Sequence, residues 1–266
     1  MTADPITTRL LFARTQTMEC AKIALQYFET PDADPEHKSD GSPVTIADRA
    51  IETELRTRIE ETFPDDTIRG EEFPTKPGTN EYEWIIDPID GTVSFVQGVP
   101  LFGTMLACLK DGVPTIGAIA MPCLDELVVG AIGHGARRIR PGYEDQRCTM
   151  PPRQSLEDAL VAFTTPSVFL HTDRWRMYEQ LIRTTRTTRG WSDCYAFVLL
   201  VTGRVDAVLE TGVNIWDLAA VPPLVHEAGG VWSDMAGNQS IDSGNLIACA
   251  DGLHDQLLAL TKPLGV

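Results

Sequence analysis

Residues 101–139 constrain the fold most. The apolar runs LFGTMLACL, TIGAIAM and LDELVVGAIG alternate with short Gly- and Pro-bearing breaks, KDGVP among them. Runs of that length bounded by turn residues predict neighbouring strands in a β-meander. Downstream the pattern changes: ALVAFTT, a helix near 173–184, TTRGW, a helix from Ser192, VDAVLE, a helix from about Ile215, and LIACA. That is an α/β alternation. Upstream, Leu10, Thr17, Ala21, Ala24 and Phe28 recur near the helical period and predict an amphipathic helix over 6–29. Residues 30–42 form a polar loop with two prolines. A second helix is expected from Pro43 to about Thr62, with Pro43 in its first turn and Ser42 as cap. WIID at 84–87 reads as a short strand ending on an acid. Residues 140–155 read as a linker or surface loop. The chain therefore divides into an N-terminal α+β subdomain, 1–142, and a C-terminal α/β subdomain, 143–266, expected to act as one unit. Pro222-Pro223 sits awkwardly in a helix interior, so the helix carrying Asp217 is expected to start late or kink.

With 43% hydrophobic and 23% charged residues, the 266-residue chain has a globular composition. It can bury most of its unfolded surface without disulfides or a structural metal. Twenty-two Lys and Arg against 38 Asp and Glu leave a net charge of −16. That argues against a general nucleic-acid binder, which would present a basic face, and against docking on an anionic membrane. An anionic substrate stays open if cations mediate. Six cysteines without a CxxC pair, no secretory pattern at the start and no run near 18 apolar residues make a cytoplasmic thiol protein the expectation.

Three acidic clusters stand out: Gly70-Glu71-Glu72-Phe73, Asp87-Pro88-Ile89-Asp90-Gly91-Thr92, and Asn214-Ile215-Trp216-Asp217. Hard divalent cations take oxygen ligands, and Mg²⁺ usually takes one or two carboxylates with waters and substrate phosphate. In the central cluster, two carboxylates three positions apart can converge on one cation pair, and Ile89 can offer a carbonyl between them. Gly91 lets the backbone approach a ligand closely, and the Gly91 and Thr92 N–H groups at a helix start suit an anion. Asp-Pro and Asp-Gly are also common turn dipeptides, and Glu-Glu pairs in loops are usually solvated surface. Other motifs compete poorly. There is no G-x-x-x-x-G-K-[ST], Gly133-His134-Gly135 reads as a turn, and the five histidines lack H-E-x-x-H spacing.

The set T-I-A-D (45–48), G-E-E (70–72), W-I-I-D-P-I-D-G-T (84–92), I-W-D-L-A-A (215–220) and E-A-G-G (227–230) resembles the inositol monophosphatase superfamily, in order and spacing, from about residue 10 to 260. The resemblance implies a layered αβαβα sandwich, Mg²⁺ dependence with two or three ions per site, hydrolysis of a small phosphate monoester, and a homodimer. It places metal ligands on Glu71, Asp87, the Ile89 carbonyl, Asp90 and Asp217. It places the water-activating groups on Asp48, Glu71 and Thr92, the phosphate contacts on Gly91 and Thr92, and a mobile-loop lysine near Lys38.

Arg189-Gly190-Trp191-Ser192-Asp193-Cys194-Tyr195 narrows the substrate. Asp193 stands where the inositol phosphatases carry a small residue, and the segment resembles the histidinol-phosphatase branch, with Ser192 in place of a glycine. Histidinol phosphate carries an ammonium and an imidazole, whereas inositol carries only hydroxyls. Asp193 and Glu210 near the leaving group would favour the cationic alcohol. Asp193 also reads as a cap for a helix starting at 194. Histidinol phosphate is thus the expected substrate, ahead of inositol-1-phosphate or a broad range of sugar phosphates. A non-catalytic partner in RNA processing or transcription is a third reading, and complete metal motifs speak against it.

Overall fold

The computed structural model describes residues 4–30, 36–37, 43–191 and 193–262. In chain order its elements are α1 (Pro5–Ala21), β1 (Glu36–His37), β2 (Pro43–Val44), α2 (Ile46–Thr62), β3 (Thr67–Gly70), β4 (Tyr82–Asp90), α3 (Thr92–Val96), β5 (Gly103–Lys110), β6 (Val113–Met121), β7 (Glu126–Ala131), β8 (Gly135–Ile139) and β9 (Gln146–Arg147). There follow β10 (Leu160–Phe163), α4 (Pro166–His171), α5 (Trp175–Thr184), β11 (Thr187–Gly190), α6 (Asp193–Val201), β12 (Ala207–Thr211), α7 (Ile215–Leu218), α8 (Val221–Glu227), β13 (Gly230–Ser233), β14 (Asn245–Ala250) and α9 (His254–Thr261).

The meander forms as expected. It lies within a seven-stranded sheet of order β3-β4-β5-β6-β7-β8-β9, antiparallel except for the β3–β4 pair. The C-terminal half builds a mixed five-stranded sheet of order β11-β10-β12-β14-β13. Alternation along the strands explains the layering. On β5, Leu106 and Cys108 join a core with α1 and α2, while Met105, Ala107 and Leu109 join a core with α6 and α8. On β14, Leu246 and Ala248 face that same middle core, and Ile247 and Cys249 face a third core with α5 and α9. Both sheets are apolar on both faces, so helices must cover all four. The result is an αβαβα sandwich. Its middle layer, α6 and α8, comes from beyond residue 143 and packs on the seven-stranded sheet as well.

Several local expectations need correction. The first helix ends at Ala21 and gives way to a 3₁₀ turn over Lys22–Gln26. Of the residues expected inside, Thr17, Ala21 and Ala24 are buried, together with Arg9, Phe12, Ala13 and Cys20, while Leu10 and Phe28 are only half-buried. The second helix starts at Ile46, not Pro43. Thr45 and Asp48 form a reciprocal capping box there, and Pro43 lies in β2, paired with β1. Ser42 lies outside the described residues. Residues 140–155 are not wholly a loop, because β9 extends the sheet and Cys148 and Met150 are buried. The helix carrying Asp217 does break: α7 stops at Leu218, and Pro222 and Pro223 fall in the first turn of α8, where no intrahelical N–H bond is due.

Candidate active site

The strand read as WIID continues to Asp90 through a bulge. Asp87 pairs with Met105 and Asp90 with Gly103, so Pro88 and Ile89 together oppose Thr104. The Thr104 hydroxyl donates to the Pro88 carbonyl at 2.7 Å and pins the bulge. In a regular strand, residues three apart point to opposite faces. The extra residue re-aims one of them, and the Asp87 and Asp90 carboxylates converge. Asp217 joins them from α7, and ligand oxygens of all three lie within 4.8 Å of one another. Asp217 is held by its cap: the Asn214 N–H donates to its Oδ2 at 2.6 Å, and the Asn214 side chain accepts in return. Glu71 follows β3, its N–H bonded to the Ile86 carbonyl at 3.3 Å.

This clustering is electrostatically costly. Burial, then the charges of Glu71, Asp90 and Asp217, hold the Asp87 carboxyl well above the usual carboxylate range. Burial, then Asp193 and Asp217, do the same to Asp90, against the lowering effect of the Cys194 N–H that donates to its Oδ2. Asp87 is 2% exposed, and its Oδ1 has no hydrogen-bond partner. An orphaned buried oxygen among converging carboxylates fits a hard divalent cation. Oxygen donors are what such an ion takes, and its charge would remove the repulsion.

Around this centre, Gly91 has φ +86° and caps α3. A Cβ there would lie 3.0 Å from Asp193 Oδ2 and 3.2 Å from the Leu101 carbonyl, so only glycine fits without strain. The Thr92 hydroxyl donates to the Ile89 carbonyl at 3.0 Å. Asp48, 1% exposed, accepts from the Thr45 N–H at 2.7 Å and the Thr45 hydroxyl at 2.6 Å. Lys38 lies outside the described residues.

Asp193 opens α6 with φ +23°, outside the helical range, as a residue at a helix cap has. It lines two adjoining cavities of about 560 and 370 Å³, which also share Val93 and Thr164. The larger reaches Glu71, Gly91 and Thr92, and the smaller reaches Asp90, Asp217 and Glu210. Glu210 is 2% exposed, with neither oxygen in a hydrogen bond of ordinary geometry. Burial, then Asp193, raise its carboxyl well above the usual range, while Thr164 beside it lowers it. Sequence reasoning missed Thr104, Thr164, Thr165 and the Cys194 N–H. Thr164, Gly190 and Glu210 lie at the carboxyl ends of β10, β11 and β12, where open α/β sheets bind ligands. That rule was the available signal for the threonines.

Fold and site define a layered α/β protein with a carboxylate centre for a hard cation, opening on a pair of ligand cavities. The profile of the inositol monophosphatase family matches residues 7–264. A histidinol-phosphatase of Chlorobaculum parvum is 37% identical over 242 residues, covering 91% of this chain and 92% of that protein. A Nus factor SuhB of Pasteurella multocida is 31% identical over 250 residues, covering 91% and 90%. The solved structure of an inositol monophosphatase from Zymomonas mobilis superposes with TM-score 0.83 at 31% identity, covering 97% of this chain and 99% of that one. The chain belongs to the inositol monophosphatase family. It is a phosphatase of a metal-dependent family, with the acidic cluster such an enzyme requires.

Proposed function

We propose that this phosphatase is Mg²⁺-dependent and hydrolyses L-histidinol phosphate to L-histidinol and phosphate, a step of histidine biosynthesis. The observation that carries the substrate is the acidic pair Asp193 and Glu210, lining one cavity beside the metal-ligand carboxylates. The histidinol-phosphatase name of the 37%-identical relative supports it. Glu71, Asp87, the Ile89 carbonyl, Asp90 and Asp217 would hold the cations. Bound Mg²⁺ supplies Lewis-acid polarisation of the phosphoryl group and acidifies water.

The chain's own groups do the rest. Thr92 donates its proton to the Ile89 carbonyl, which leaves its oxygen lone pairs to accept from the attacking water. A threonine is a poor base alone, so the water's proton would pass to the Glu71 carboxylate, with Asp48 supporting the Thr92 hydroxyl. The Gly91 and Thr92 N–H groups hold phosphate oxygens. On the leaving side, a carboxylate and an ammonium 4 Å apart attract by about 4 kcal/mol at an effective dielectric near 20, before desolvation. The buried Glu210 carboxyl, held above its usual range without a partner, gains a counter-charge from a cationic alcohol and nothing comparable from a neutral one.

Asp193→Asn tests this. It should lower kcat/KM for histidinol phosphate by roughly 10–150-fold, the span for a hydrogen bond to a charged group, and leave inositol-1-phosphate turnover nearly unchanged. An unchanged ratio between the two substrates would return the site to an inositol-1-phosphate or broad sugar-phosphate phosphatase, the first of which the solved inositol monophosphatase supports. The Nus factor relative supports a role in transcription instead. The net charge of −16 and the intact carboxylate centre favour catalysis.

A further inference from the structure

One helical turn beyond Asp48, α2 carries Glu52, whose side chain is fully buried. Its Oε2 accepts from the Glu72 N–H at 2.7 Å, and its Oε1 accepts from the Phe73 N–H at 3.2 Å and from Arg56 Nε at 2.7 Å. The Arg56 guanidinium also reaches the Phe73 carbonyl at 3.0 Å. On the other side of Glu71, a Cβ on Gly70 would lie 2.0 Å from Glu52 Oε1, so the carboxylate fills the space a side chain there would need. The turn that presents Glu71 is thus gripped before and after that residue by one carboxylate. Burial raises the Glu52 carboxyl above its ordinary value, against the lowering effect of the Glu72 N–H and Arg56. Tying a helix to a loop does not require a desolvated charge; three donors at fixed positions require two acceptor oxygens.

We infer that Glu52 is a positioning residue for the cation centre: by holding the backbone of residues 70–73 it sets the direction of the Glu71 side chain, and thereby the affinity for the divalent ion. This rests on the reading of Glu71 as a cation ligand. Groups that orient metal ligands typically cost 10–100-fold in affinity or activity when changed. Gln offers one acceptor oxygen where the turn needs two and turns an amide NH₂ onto a donor, so Glu52→Gln should loosen the turn without removing the packing. Gly70→Ala should displace the same carboxylate from the opposite side.

The experiment is a titration of the purified, substrate-free enzyme with Mn²⁺ alone, read by electron paramagnetic resonance. The variants are Glu52→Gln, Gly70→Ala, Glu71→Gln and Asp66→Asn. Asp66, at the far end of β3, is buried against Arg9, Asn80 and Trp84 and serves as a stability control. We expect Glu52→Gln and Gly70→Ala to weaken Mn²⁺ binding by roughly 10-fold or more. The Mg²⁺ concentration for half-maximal turnover should rise in proportion, while kcat at saturating Mg²⁺ changes far less. Asp66→Asn should lower the Tm and leave Mn²⁺ affinity alone. Wild-type affinity in Glu52→Gln and Gly70→Ala, with a loss in Glu71→Gln, overturns the inference and leaves the site reading standing. Equal losses in Asp66→Asn reduce Glu52 to general stability and overturn it too. Wild-type affinity in Glu71→Gln overturns the inference together with the ligand assignment. Should Glu52→Gln fail to fold, Gly70→Ala carries the test by itself.

Discussion

Asp87→Asn should make the metal-free protein more stable and the enzyme inactive. Asp87 is buried, one oxygen lacks a partner, and its neighbours Asp90 and Asp217 lie within 4.8 Å. Two unit charges at that separation repel by about 3.5 kcal/mol at an effective dielectric near 20. Burial first, then Glu71, Asp90 and Asp217, hold the Asp87 carboxyl well above its usual range, so folding favours its protonated form. Keeping a carboxyl of ordinary pKa about 3.9 protonated at pH 7 costs about 4 kcal/mol, at 1.36 kcal/mol per unit. That is the ceiling on what Asn recovers, since an amide needs no proton. The new NH₂ must still find an acceptor, so about 1–2 kcal/mol of net gain is expected. For a chain of this size that raises Tm by about 2–8 °C. The assay is calorimetry in EDTA and again in saturating Mg²⁺, with turnover measured in parallel. Wild type should gain stability from Mg²⁺, whereas the variant should start higher, gain little and show no appreciable turnover. A lower Tm in EDTA, with the Mg²⁺ gain and turnover intact, would refute the claim that Asp87 is kept for a cation.

Thr92→Ala should lower kcat by roughly 10²–10⁴, the usual worth of a positioned proton transfer. Asp48→Asn should do likewise, and, on the proposed pairing of the two in activating water, the double variant should lose little more than either alone; losses that multiply would separate them. Stability of the metal-free enzyme should fall as pH rises from about 4 toward neutrality. Asp87, Asp90, Glu52 and Glu210 all have folded pKa values raised above their unfolded ones, so the folded state holds extra protons below neutrality and loses that advantage as they leave. Denaturant titrations across that range should show the decline in EDTA and a flatter profile in Mg²⁺; a rise with pH in EDTA would contradict it.

The chemistry of the site was more legible than its geometry. Asp-Pro-Ile-Asp-Gly-Thr stands out because two further acidic clusters accompany it in the order and spacing of a known family, and Gly91 does occupy a left-handed conformation. Nothing in those six residues, however, reveals that a bulge turns Asp87 and Asp90 to one side; that depends on Thr104 of the neighbouring strand. The meander was legible because its strands are apolar on both faces and cleanly punctuated. The first helix was not, since a 3₁₀ turn at Lys22 takes over without a glycine or proline to mark it. The start of α2 went to Thr45 rather than Ser42 because a side-chain-to-backbone exchange three residues apart outweighed the preference of Pro43 for a first turn. Glu52 reads in the sequence as one more acid on a charged helix; two of its three donors come from the folded loop facing it, and only the third, Arg56, lies on its own helix.

The central claim is that an acidic leaving-group cavity beside a carboxylate cation centre selects a cationic phosphate ester. The most direct measurement is kcat/KM of the wild-type enzyme for L-histidinol phosphate and for inositol-1-phosphate, each in saturating Mg²⁺ and in EDTA. The account predicts turnover only with Mg²⁺ and a preference for histidinol phosphate of at least about 10²-fold, the discrimination open to a site whose buried polar groups go unpaired with the wrong substrate. Equal values for the two esters, or full activity in EDTA, would contradict it.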